Sequence, residues 1–222
     1  MMDLIPGPIS SENVNGKELK VFKVLILGDS GTGKTSLVRR SVHDFFTDGY
    51  RSTIGVDFSL KVLRWSEDLE IRLQMWDLAG QDRFNHLSRL YFNKASGALL
   101  VCDQSAEESL EGIIKWKREL DKKLNFNIPS VIICNKEDIR EQSREADDDL
   151  LIEEIARDIG VCAWTRTSAK TGDGVEEGIR YILVIPLSWS YSYSLIAGLW
   201  YGRCWRERMY WPMTGLPGQS PS

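Results

Sequence analysis

Apolar and polar residues along this chain follow two rhythms that take turns. Residues 21–27 form an apolar run; a glycine-rich turn and a helix-compatible run, residues 36–42, follow it. Val56, Phe58, Leu60 and Val62 fall on every second position, as do Leu69, Ile71, Leu73 and Met75, with Ser66-Glu67-Asp68 between them. Such alternation predicts two strands joined as a hairpin. Residues 98–102 and 131–134 are continuous apolar runs, the pattern of central strands buried on both faces. Leu110, Ile113, Ile114, Lys117, Leu120 and Leu124 recur at helical spacing and predict an amphipathic helix over residues 105–124. Leu151, Ile155 and Ile159 do the same, with Gly160 as a C-terminal stop. The acidic run at 145–149 reads as a solvated helix start, because acids favour the first turn. Strand and helix signals alternate from residue 21 to about 184, which predicts an α/β domain: a mostly parallel sheet with helices on both faces. Residues 1–20 are polar, with Pro6, Gly7 and Pro8, and read as a flexible arm.

Composition narrows the picture little. The 222-residue chain carries a formal charge of −4, which points to no nucleic-acid partner. Two histidines are too few for a His-rich metal site. The four cysteines show no C-x-x-C spacing, and Cys102 and Cys134 sit in strand-like runs as buried thiols.

The candidate chemistry begins at Gly28-Asp29-Ser30-Gly31-Thr32-Gly33-Lys34-Thr35, which fits the G-x-x-x-x-G-K-[ST] phosphate loop at every position. Glycines let backbone N–H groups curl around an anion, and the following helix N-terminus adds its dipole. Lys34 would reach the phosphates, and the Thr35 hydroxyl would ligate Mg²⁺. Four short motifs follow in order. Thr53 precedes a strand and offers oxygen to Mg²⁺ and a γ-phosphate. Asp77-Leu78-Ala79-Gly80-Gln81 follows a strand, where the carboxylate suits Mg²⁺. Asn135-Lys136-Glu137-Asp138 follows another. Its Asp138 can accept from N1–H and the 2-amino group of guanine; adenine lacks that donor pair and would leave the carboxylate unsatisfied. Thr167-Ser168-Ala169-Lys170 ends a further strand and brings backbone N–H groups near the base oxygen. Each tetrapeptide is weak alone; their order and their places at strand ends, where open α/β sheets bind ligands, carry the weight. The base-reading motif disfavours a P-loop kinase or ATPase.

On these residues the chain resembles the Ras-like small GTPases, over residues 21–184. Ile54-Gly55-Val56-Asp57-Phe58 and residues 76–84 resemble the Rab family. Leu78, residues 61–65 and Lys115-Trp116-Lys117 resemble the Rab subgroup that serves lysosome-related organelles. The resemblance implies a P-loop G domain over residues 21–185 with a six-stranded sheet, binding GTP or GDP with Mg²⁺. Ser30, Gly31, Thr32, Gly33, Lys34, Thr35 and Ser36 would wrap the phosphates. Thr35 and Thr53 would ligate Mg²⁺, with Asp77 in its outer shell. Phe46 would lie against the guanine, although a core aromatic is an equal reading. Asn135, Lys136, Asp138, Ser168, Ala169 and Lys170 would hold the base. Gly80 would donate its N–H to the γ-phosphate, and Gln81 would orient the attacking water. Phe58, Trp76 and Tyr91 would form an effector surface, with ordinary packed aromatics as the alternative. An exchange factor, an activating protein and effectors are the implied partners, on the cytosolic face of endosomal, Golgi or lysosome-related membranes. No arginine stands out as acting from within the chain. Arg166 stands where relatives often carry an acid that braces the base-binding loop, so an altered base affinity is expected.

The pattern breaks at the C-terminal end. Pro186 is expected to stop the last helix near residue 185, because an interior proline costs about 3 kcal/mol. Residues 186–222 read as an atypical aromatic-rich tail. They include Trp189, Tyr191, Trp200, Trp205 and Trp211 and lack the terminal cysteines that family members carry for prenylation. Residues 181–202 are uncharged and barely long enough for a bilayer, but Pro186 and Gly198 interrupt them. The favoured reading is an alternative C-terminus on an intact G domain. An unprenylated chain that sequesters regulators in the cytosol is the competing function.

Overall fold

A computed structural model describes residues 8–14, 16–49, 51–80, 89–106, 108–124, 126–139 and 145–190. Seven strands share one sheet: β1 (Ser10–Val14), β2 (Lys17–Leu27), β3 (Val56–Arg64), β4 (Leu69–Leu78), β5 (Gly97–Asp103), β6 (Ser130–Asn135) and β7 (Ala163–Arg166). The order is β3-β4-β2-β5-β6-β7, and β1 lies off this path, antiparallel to β2. The β3–β4 hairpin is antiparallel, with Phe58 opposite Trp76; β2, β4, β5, β6 and β7 run parallel. The helices are α1 (Lys34–His43), α2 (Arg89–Phe92), α3 (Glu108–Lys123), α4 (Glu145–Asp158) and α5 (Val175–Ser190).

The continuous apolar runs became β5 and β6, buried along nearly their whole length. Two cores follow from the two sheet faces. Phe22, Val24, Ile26, Ile71 and Leu73 pack with Leu37 of α1 and Ile179 and Ile182 of α5. Leu25, Leu27, Leu100 and Ile132 pack with Trp116 of α3 and Ile152 and Ala156 of α4. Cys102 and Cys134 face each other in register, fully buried as free thiols.

Two boundaries differ from the sequence reading. Residues 10–14, assigned to a flexible arm, form β1 along the N-terminal half of β2, adding a seventh strand to the six expected. The last helix runs through Pro186 to Ser190. Proline's fixed φ suits a helix, and its missing N–H forfeits one bond. The preceding turns are pinned by Ile179, Ile182 and Leu183, all fully buried. Among the described residues, no helix is long and apolar enough to cross a membrane. The tail from 191 onward lies outside the described residues.

Candidate functional site

The carboxyl ends of β2, β4, β6 and β7 open onto one cavity of about 300 Å³. Ser30, Gly31, Gly33, Lys34, Thr35 and Ser36 form its phosphate-loop wall, and Phe46, Thr53, Gly80, Asn135, Lys136, Asp138, Ala169 and Lys170 complete it. Thr32, Ser168 and Asp77 stand behind the wall and hold it. Gln81 lies outside the described residues.

Local sequence explains the phosphate end. Gly33 caps α1 at φ 88, a left-handed conformation that L side chains resist, and a Cβ there would meet Asn135 Nδ2 at 2.3 Å. No side chain caps α1, and no acid occupies its first turn. The orphan N–H groups and the positive end of the helix dipole are left for an anion. Lys34 is nearly fully buried, and its ammonium donates to the Asp29 carbonyl at 2.7 Å. Burial lowers its pKa to about 8, against the raising effect of Asp77 and Asp29. A bound phosphate would keep the ammonium charged. The empty site is protonated below pH 8; above it, binding must take up a proton. Nucleotide affinity is therefore expected to fall by up to about tenfold per pH unit above pH 8. Calorimetry in two buffers of different ionisation enthalpy measures the uptake.

Beneath the loop, the Thr35 hydroxyl donates to Asp77 Oδ2 and shares a 2.7 Å hydrogen bond with the Thr53 hydroxyl. Asp77 is 2% exposed, and its Oδ1 is buried without a hydrogen-bond partner. Burial raises its pKa, opposed by the Thr35 hydroxyl and Lys34. A buried carboxylate oxygen without a partner, beside two hydroxyls, is a hard-oxygen donor set that fits Mg²⁺.

The base end is built around Asn135, 1% exposed. Its Nδ2 donates to the Thr32 carbonyl at 2.9 Å; its Oδ1 accepts from the Thr167 hydroxyl and the Ala169 N–H, both at 3.1 Å. One amide thus staples the phosphate loop to both base-binding motifs. The Ala169 N–H is thereby engaged with Asn135, and Ala169 and Lys170 both line the cavity. Arg40 of α1 holds the same loop through the Ala169 and Lys170 carbonyls, at 2.9 and 2.6 Å. Ser168 donates to the Asp138 carboxylate at 2.5 Å. Lys136 sits at φ 68 and pairs with Asp103 at 2.5 Å. Burial alone would raise the Asp103 pKa; the Lys136 ammonium and Ser105 overcome it and hold the carboxyl low. Arg166 braces the loop from β7: it pairs with Glu137 at 3.3 Å and also bonds Asp149 of α4 and Gln104. The brace is present with its charge reversed, the cation on the strand and the acids around it.

Several wall residues escaped the sequence reading. Arg39 of α1 and Arg51, Thr47 and Ser52 of the loop after it reach the cavity, so two arginines of this chain do stand at the site. The loop has no hydrophobic period and no motif besides Thr53; position immediately before Thr53 was the one available signal. Away from the cavity, Phe58 and Trp76 meet edge to face at 5.6 Å, and Trp76 and Tyr91 lie 6.4 Å apart. Phe58 is 50% exposed.

The Ras family model matches residues 23–184. The Homo sapiens protein named Ras-related protein Rab-32 is 41% identical over 182 residues, covering 80% of this chain and 77% of the relative. Rab-32A of Dictyostelium discoideum is 39% identical over 73% of this chain and 76% of its own length. Rab-7L1 of Rattus norvegicus is 38% identical over 76% and 83%. The chain belongs to the Rab family of Ras-like small GTPases. It therefore binds guanine nucleotide and hydrolyses GTP. One cavity is lined by residues from the phosphate loop, Thr53, Gly80 and both base-reading motifs.

Proposed function

We propose that this chain is a nucleotide-controlled switch for membrane traffic, in which GTP with Mg²⁺ orders the loops around Thr53 and Gly80 into an effector-binding surface. The observation that carries the reading is the placement of Lys34, Thr35, Thr53, Gly80 and Asp138 around one cavity. Lys34 and the N-terminus of α1 neutralise the β- and γ-phosphates. Thr35 and Thr53 would ligate Mg²⁺, and Asp77 would hold its outer shell from a buried position. Asp138 accepts the N1–H and 2-amino protons of guanine, and Lys170 donates its N–H to the base oxygen. Phe46 covers one side of the base while packing against the α1–α5 core.

Hydrolysis needs positioning more than covalent chemistry. Water attacks the γ-phosphorus in line. The bond to the β–γ bridging oxygen breaks, its electron pair leaves with GDP, and the water's proton passes to the released phosphate. Gln81 orients the water, and the Gly80 N–H donates to the γ-phosphate. Once phosphate departs, that contact is gone and the loops relax. Phe58, Trp76 and Tyr91 form the part of the surface that effectors read. The Rab relatives support action on the cytosolic face of an endomembrane, and a lysosome-related one is the compartment this reading assigns.

Gln81→Leu tests the reading. GTP hydrolysis stimulated by an activating protein should fall about a hundredfold, the effect of losing one positioning contact, while GTP affinity stays within about twofold. Single-turnover phosphate release measures the first and nucleotide competition the second. Wild-type stimulated rates would remove Gln81 from the reaction.

A further inference from the structure

Asp29 sits inside the phosphate loop yet does not line the cavity. Its carboxylate turns instead to α3. Oδ1 accepts the indole N–H of Trp116 at 3.1 Å, and Trp116 is 1% exposed. Gly112 lies one turn earlier on the same helix face. A Cβ at Gly112 would fall 2.4 Å from Asp29 Oδ2, so the helix is notched where the carboxylate lies. The other end of the same residue faces the site: the Asp29 carbonyl accepts from Lys34 Nζ at 2.7 Å and from the Thr32 hydroxyl at 3.0 Å.

We propose that Asp29 is a positioning residue for Lys34, held in place by the Gly112–Trp116 notch of α3. The grip on the carboxylate orients the peptide whose carbonyl receives the lysine, and it keeps a negative charge close behind the ammonium. Nothing in the phosphate-loop consensus demands an acid at this position, nor a tryptophan and glycine four residues apart on α3. The proposal rests on Lys34 as the phosphate ligand.

Three variants of the full chain separate this role from simple packing. Asp29→Asn keeps an acceptor for the indole and removes the charge. Trp116→Phe keeps the aromatic packing and removes the donor. Gly112→Ala fills the notch. Affinity for GDP should fall at least about fivefold in Asp29→Asn, whereas affinity for GMP, which has no β-phosphate for Lys34 to reach, should stay within about twofold. Release of a fluorescent GDP analogue should be about tenfold to a hundredfold faster in Trp116→Phe, the weight of one hydrogen bond to a charged group. It should be faster still in Gly112→Ala. Equal changes in GDP and GMP affinity in Asp29→Asn, or a change in neither, overturns the proposal. So does release from Trp116→Phe within twofold of wild type, which decides the matter even where Gly112→Ala does not fold. Absence of GDP binding by the wild-type chain would overturn the phosphate-site reading itself, and that failure is visible before any variant is made.

Discussion

Asp138→Asn is expected to lower guanine nucleotide affinity by about two to four orders of magnitude. The carboxylate accepts two hydrogen bonds from the base, each worth about 1.5–3 kcal/mol because one partner is charged. At 1.4 kcal/mol per tenfold, the pair accounts for that range. The loss has a chemical signature beyond its size. An asparagine amide presents a donor where guanine also presents donors, so the pair repels. Xanthine carries a carbonyl in place of the 2-amino group and can accept from that amide. The variant should therefore bind xanthosine diphosphate better than GDP, reversing the wild-type order. The fold should tolerate the change, since the Ser168 hydroxyl, now 2.5 Å from the carboxylate, can still donate to the amide oxygen. Competition between the two diphosphates on wild type and variant measures it. Unchanged GDP affinity would remove Asp138 from base reading.

Gly80→Ala should separate GTP from GDP. A Cβ at residue 80 would lie 2.5 Å from the Ser30 N, 2.6 Å from the Asp29 carbonyl carbon and 2.7 Å from Lys34 Nζ. Two of the three atoms are backbone of the phosphate loop, so the Gly80 loop must retreat rather than a side chain bend. GDP asks nothing of Gly80 in the proposed scheme, and its affinity should change by no more than about threefold. GTP hydrolysis should fall about a hundredfold, because a displaced loop carries Gln81 away from the water, and a misplacement of about 1 Å costs that much. Single-turnover hydrolysis, and binding of GDP set against that of a non-hydrolysable GTP analogue, measure the two arms. Equal losses for GDP and GTP would show that Gly80 supports the loop generally rather than reading the γ-phosphate.

Much of this was legible from residue order. The runs that became β5 and β6 are apolar on both faces, and α3 repeats its apolar positions over sixteen residues. Short motifs at strand ends located the cavity. What escaped has a physical reason in each case. β1 is a polar, mostly exposed strand whose residues alternate with nothing. It forms because the N-terminal half of β2 offers an open edge, and a pattern search cannot see a partner's edge. Pro186 obeyed a tertiary constraint over a local one: the turns before it are pinned in the core, and its φ already suits a helix. The Asn135 side chain joins three loops besides lining the cavity, a task visible only when those loops meet. The Asp29–Trp116 contact spans 87 positions and involves no repeated pattern. Arg39 and Arg51 reach the cavity from a helix face and a patternless loop.

The central claim is that this cavity holds a guanine nucleotide. The most direct test is to purify the full chain, denature it and identify the released nucleotide by chromatography, with GTP and ATP then competed against each other for the refilled site. The account predicts close to one GDP or GTP per chain and displacement by GTP but not by ATP. Release of an adenine nucleotide, or equal displacement by ATP, would contradict it.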